Sequence, residues 1–174
     1  MVIDMSHSAE RSTLEAIQYS DRPIAITHAN PHYWHPALRN KSHQVLSELT
    51  SSNGMLGFSI YPHHLKDGTS CSLKSFCEMI SEAALKYGSD RLGIGSDLCQ
   101  DQPDSVVNWM RNGHWRKTPA PPVAFPVCPV WFRDNRDFPG LSDGLFAAGL
   151  PVEHVAGILG GNWMAFWDKA FAPS

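Results

Sequence analysis

The chain of 174 residues has no excess of basic side chains: 14 Lys and Arg stand against 17 Asp and Glu, for a formal charge of −3. Without a basic stripe to follow a phosphate backbone, nucleic acid is not an expected partner, and a small uncharged or zwitterionic substrate fits better. Long apolar runs are also missing. No stretch approaches the roughly 18 apolar residues that a membrane span needs, and Met1 to Ser8 lack the layout of a signal peptide. No membrane contact and a cytoplasmic location are therefore expected. Cysteine is sparse, and Cys71, Cys77, Cys99 and Cys128 show no CxxC spacing. That excludes a disulfide framework and a cysteine zinc knuckle, leaving ordinary thiols. Low-complexity tracts are absent.

What is present is a strand and helix rhythm. Apolar or β-branched runs at Val2–Met5, Pro23–Thr27, Met55–Ile60 and Arg91–Gly95 read as four strands. Between the first two, Ser12 and Glu15 form a capping-box pair ahead of Leu14 and Ile17. Val45, Leu46 and Leu49 make a helical stripe that stops at Asn53-Gly54, and Ser72 caps a third helix closing at Tyr87-Gly88. Its apolar face is Leu73, Phe76, Cys77, Ile80 and Ala84. The order β-α-β-α-β-α-β predicts an α/β fold with a parallel sheet buried on both faces, because parallel neighbours require crossovers. Residues 1–174 are read as a single domain. From about 98 to 141 the pattern dissolves into an insert rich in Pro, Trp and Asn, with Pro119, Pro121, Pro122, Pro126 and Pro129, of a length that usually lines a site or crosses an interface. Pro151 then opens a last helix through Val155, Ile158 and Leu159, ending at Gly160-Gly161.

In parallel α/β folds the reactive groups gather where strands end. His7, His28, Tyr61 and Asp97 occupy those positions. Two imidazoles, a phenol and a carboxylate would thus converge on one mouth, and imidazole suits zinc in a site left open to water or substrate. The competing readings are hydrogen-bonded loop histidines and a loop-capping Asp97. His32, His35, His43, His63, His64, His114 and His154 are read as background histidines. Gly93-Ile94-Gly95-Ser96-Asp97 is not followed by a capped helix at phosphate-loop spacing, so nucleotide binding is discounted.

These segments resemble, in order, those of the membrane (renal) dipeptidase family, zinc metallopeptidases of family M19. Val2–Ser8 is similar to its "ID-LSH" strand, and Arg22–Asn30 to "RPVIASHSN". Arg39-Asn40 ahead of the Val45-Leu46 helix follows. Gly54–Tyr61 is similar to "GG-V-VNFY", Gly93–Asp97 to "GIGSDFDG" and Ile158–Asn162 to "ILGGN". The resemblance implies the C-terminal half of a TIM-like (β/α)8 metal-dependent hydrolase barrel, built of four βα units, the insert and C-terminal helices. It implies that His7 and His28 hold one zinc of a dinuclear pair and that Asp97 is the catalytic acid/base. Arg39 would pair with the carboxylate of a dipeptide substrate, and Tyr61 would line the site.

Departures accompany the matches. The family's His-x-Asp pair and bridging glutamate have no counterpart here, and Asp97-Leu98-Cys99-Gln100 replaces Asp-Phe-Asp-Gly. A complete barrel takes about 250 residues. The expectation is thus a fragment with a partial metal site, inactive alone, whose partner is a matching N-terminal half-barrel chain or a second copy in a homo-oligomer. The alternatives are a non-catalytic remnant that pairs through exposed sheet edges, and a free-standing flavodoxin-like binding domain with a closed four-stranded sheet.

Overall fold

The structure, a computed structural model, describes residues 1–100, 102–112 and 125–172. Pro119, Pro121 and Pro122 of the expected insert, and His114, lie outside the described residues. Helix α1 (Glu10–Tyr19) leads to strand β1 (Ala25–Ala29), helix α2 (His43–Ser51) to β2 (Met55–Phe58), and α3 (Leu73–Tyr87) to β3 (Leu92–Ile94). The strands are parallel in the order β1-β2-β3, with Ala25 opposite Met55 and Leu56 opposite Leu92.

The first expected strand is not formed as a strand. Only Asp4 bridges to Ala25, through hydrogen bonds from Met5 N to Ala25 O and from Ala25 N to Ile3 O. The next β1 amides are taken by side chains instead: Thr27 N donates to Asp4 Oδ1 and His28 N to Ser6 Oγ. Side-chain oxygens compete with a ladder for the same donors, so Val2–Met5 lies along β1 without extending the sheet as a fourth strand.

The cap expected at Ser72 is formed, and α2 has an equivalent one at Ser42. Ser42 and Ser72 accept hydrogen bonds from Val45 N and Ser75 N, capping α2 and α3. The Ser12/Glu15 capping box is corrected: α1 begins at Glu10 behind Ala9, which makes no side-chain cap, and Ser12 sits inside the helix. Asn53, with φ 61°, turns the chain out of α2, and α3 ends at Gly88.

The insert also needs correction, because about 98 to 141 is not structureless. It contains helix α4 (Asp104–Asn112) and a 3₁₀ turn at Asn135–Asp137, which runs into α5 (Phe138–Ala147). Asp134 and Asp137 form a capping box there, the local pattern that overrides the proline-rich composition. The last helix does not stop at Gly160-Gly161. Helix α6 (Val152–Ala156) passes through a π-turn at Gly157–Gly161, where Gly160 adopts φ 155°, and continues as α7 (Asn162–Ala170).

The core lies between the sheet and the helices on one face. Ile26, Leu56, Phe58 and Leu92 meet Leu46, Leu49, Phe76, Ile80, Leu145 and Ile158, all fully buried. On the expected α3 face Phe76, Cys77 and Ile80 are buried with Met79 and Ala83, while Leu73 and Ala84 are only partly buried. A second cluster joins Ala25 and Met55 to Phe166 and Ala170 of α7, with Trp163 and Trp167 beside them. Helix α7 is pinned there by Asn162, whose Nδ2 donates to Ser89 O and Leu92 O, and by Trp163 Nε1, which donates to Ile94 O. The strands' C-terminal ends therefore carry the polar groups. No helix among the described residues is long and apolar enough to cross a membrane.

Candidate active site

The exchange of ladder partners beside β1 builds the first part of the site. Asp4 Oδ1 accepts from Ser6 N, Ser6 Oγ and Thr27 N, and its Oδ2 accepts from Thr27 Oγ1 at 2.7 Å. Burial works against the charged carboxylate, but the hydrogen bonds from Ser6 and Thr27 outweigh it and hold Asp4 below its ordinary range. Because the Thr27 hydroxyl proton goes to Asp4, Thr27 Oγ1 is left to accept from His28 Nδ1, 2.9 Å away. His28 then carries its proton on Nδ1 and presents a bare Nε2.

That Nε2 faces His7 Nε2 at 2.9 Å, with the rings edge to face. The loop bearing His7 is held from below by Lys41, which is 5% exposed and donates from Nζ to Met5 O and Ser8 O. Burial, and then the Arg39 charge, push the Lys41 amine down to about 8. His7 is also shifted down, by partial desolvation and the neighbouring Arg39 and His28 charges, against which Asp97 and Asp4 pull upward.

A second polar network ties the ends of β1 and β2 together. Buried Asn30 donates from Nδ2 to Ser59 O and His64 O, accepts from Ser59 N at Oδ1, and gives its own N–H to Asn40 Oδ1. Asn40 Nδ2 reaches His64 O as well. This fixes Arg39, beside Asn40, at the wall of a cavity of about 560 Å³ lined by His7, Arg39, Tyr61, His64 and Asp97, among others. Arg39 Nε is buried with no hydrogen-bond partner. An orphaned guanidinium N–H is costly to bury, so Arg39 has donor capacity left for an anionic acceptor.

Asp97 enters the same cavity from the turn after β3, in the left-handed region at φ 54°. A non-glycine residue held there stores strain, as residues at functional sites often do. Close strand approach underlies its placement. A Cβ on Gly57 or Gly95 would lie 2.0 Å or 1.6 Å from Thr27 O, so only glycine lets β2 and β3 pass that carbonyl.

Of the residues singled out in the sequence, His7, Arg39, Tyr61 and Asp97 share one cavity, and His28 joins them through its contact with His7. Two imidazole nitrogens that converge in this way suit one metal ion. Among the described residues, however, no group of three or more His, Cys, Asp or Glu is placed to hold one. The donor set fits part of a metal site. Sequence reasoning passed over His64, which lines the cavity while only 4% exposed, and over Asp4, Ser6, Thr27, Asn30 and Lys41. The available signal was the run of small polar residues at the strand ends, where an uncharged core would have been simpler.

A sequence model of the membrane dipeptidase family, peptidase family M19, matches residues 1–110. Dipeptidase tcpJ of Claviceps purpurea is 28% identical over 99 residues, covering 56% of this chain and 23% of that protein. Dipeptidase aclJ of Aspergillus oryzae is 23% identical over 164 residues, covering 93% and 33%. Among solved structures, an amidohydrolase from Pseudomonas aeruginosa superposes with TM-score 0.87 at 25% identity, over 98% of this chain and 53% of that one. A metallo peptidase from Rhodobacter sphaeroides, liganded with a phosphinate mimic of the dipeptide L-Ala-D-Ala, gives TM-score 0.76 at 20% identity over 97% and 42%. The chain spans a quarter to a third of these curated relatives and about half of these structures. Its fold is thus half of a TIM-like barrel.

Proposed function

The chain belongs to the membrane dipeptidase family, peptidase family M19, and from that premise we propose that its cavity is the histidine-pair side of a zinc-dependent dipeptidase site. The observation that carries this reading is the 2.9 Å convergence of His7 Nε2 and His28 Nε2 at the mouth shared with Asp97 and Arg39. His7 and His28 would hold zinc, with Thr27 keeping the His28 proton on Nδ1 and so its Nε2 lone pair free. The chemistry that bound zinc supplies is a water of lowered pKa and a polarised peptide carbonyl. Asp97 carries a proton to the leaving amine. Arg39, whose Nε lacks an acceptor, receives the carboxylate of the dipeptide, a task suited to its planar fork. Tyr61 closes the wall beside it.

Two imidazoles alone bind zinc weakly, since catalytic sites use at least three protein ligands. Calorimetry on this chain should therefore show weak zinc binding that is lost in His7→Ala with His28→Ala; tight zinc surviving both substitutions refutes the ligand assignment. Hydrolysis of L-alanyl-L-alanine is expected once a matching N-terminal half-barrel supplies the remaining ligands, and Asp97→Asn should abolish it. One observation favours a second reading, a non-catalytic module that pairs through its sheet edge: β3 has β2 as its only strand neighbour among the described residues. Zinc-independent association of the double-alanine variant with the complementary half would favour that reading.

A further inference from the structure

His64 has no part in the histidine pair, yet the hydrogen bonds around it determine where its proton sits. Ser59 is fully buried, and its Oγ accepts from Tyr61 N and lies 2.8 Å from His64 Nδ1. A buried hydroxyl must place its own proton on an acceptor, and of these two neighbours only the imidazole nitrogen can take one. Ser59 therefore donates to Nδ1, and the His64 proton lies on Nε2.

That Nε2 is not an orphaned buried donor as Arg39 Nε is, and His64 lines the cavity that His7, Arg39 and Asp97 also line. With Nδ1 turned to Ser59, the side chain's remaining donor is the one available to the cavity that His64 shares with Arg39. The Arg39 charge stands first among those acting on His64, ahead of His28, His63 and His7, and together with burial it brings the ring down to about 4. A second cation beside the guanidinium would be repelled. A neutral N–H adds a hydrogen bond without adding charge.

We propose that His64 is a second, neutral donor to the carboxylate that Arg39 receives, held in its donating tautomer by Ser59. The proposal rests on the dipeptide reading above. The test is a titration of the full chain with L-alanyl-L-alanine, and separately with its C-terminal amide, followed by ¹H–¹⁵N spectra of the histidine rings and of the Arg39 Nε–H. The His64 signal, identified by its loss in His64→Gln, should show the Nε2–H tautomer at neutral pH and move saturably with the dipeptide but not with the amide. His64→Phe should weaken dipeptide binding about fivefold, the equivalent of one neutral hydrogen bond. His64→Gln, which keeps an N–H donor of similar reach, should recover most of it. A response at Arg39 without one at His64, or a His64 protonated on Nδ1, overturns the proposal and leaves the dipeptide reading standing. Silence at both residues overturns the two together.

Discussion

Acid should destabilise this fold, and the largest resolved contribution is that of the buried His64 ring. His64 is 4% exposed and is held down to about 4, first by burial and then by the Arg39, His28, His63 and His7 charges, against an ordinary value of 6.5. Between those two values the unfolded chain binds a proton at this position and the folded chain does not. By linkage the stability is fully present above about 6.5, falls as the pH drops through the window and is fully lost below about 4. From pH 7.5 to 5 the loss from this group comes to about 2 kcal/mol. With a urea m-value of about 2 kcal/mol per molar, the midpoint should fall by about 1 M. His64→Gln retains a polar side chain that does not titrate, so its midpoint should change less over the same interval by about that amount. Equal acid sensitivity in the two proteins refutes the buried neutral ring.

Asp4→Asn keeps the shape but puts an amide N–H where Oδ2 now accepts from Thr27, so Thr27 Oγ1 must accept there and turn its own proton toward His28 Nδ1. The His28 proton should shift toward Nε2 and zinc affinity should fall about tenfold, as for other lost supporting contacts; an unchanged His28 tautomer in ¹⁵N spectra counts against this. Gly95→Ala sets a Cβ 1.6 Å from Thr27 O, a backbone atom that cannot swing aside. It should cost about 3 kcal/mol or more in urea denaturation, while Gly140→Ala, which meets nothing within 4 Å, should cost far less; similar losses would show that the strands do not approach so closely.

Periodicity and strand-end logic were enough to place the three paired strands, helices α2 and α3 and the shared mouth of His7, Tyr61 and Asp97, to which the family resemblance added Arg39. These features are local: a stripe, a cap or a strand end is visible in a few adjacent residues. Several of the misreadings arise from contacts distant along the chain. Val2–Met5 has a strand's composition, yet Asp4 and Ser6 draw the amides of Thr27 and His28 from more than 20 residues away. Helix α7 continues past two glycines because Asn162 and Trp163 are anchored on Ser89, Leu92 and Ile94, some 70 residues earlier. His64 looked like a background histidine because nothing near it in sequence, apart from Ser59, reveals that its ring is buried against the cavity.

The site owes its geometry to the place where the sheet stops being regular. In an unbroken parallel ladder Thr27 N and His28 N would bond to carbonyls of a neighbouring strand, and side chains from the two strands would alternate with the pleat. Here Asp4 and Ser6 take those amides, and the β1–β2 register shifts between Ile26 and Ala29. Freed from strict pairing, the chain brings His7 across to His28, and the glycines at 57 and 95 clear the space that the displaced Thr27 carbonyl needs. Unpaired backbone would be costly in a buried setting, but the amides of Thr27 and His28 are both recovered on side-chain oxygens. The carboxylate that recovers one of them also orients Thr27, and through it the proton of His28. One aspartate thus substitutes for a stretch of strand and sets the tautomer of a candidate metal ligand, which is why the irregular end of this sheet, rather than its paired middle, carries the chemistry.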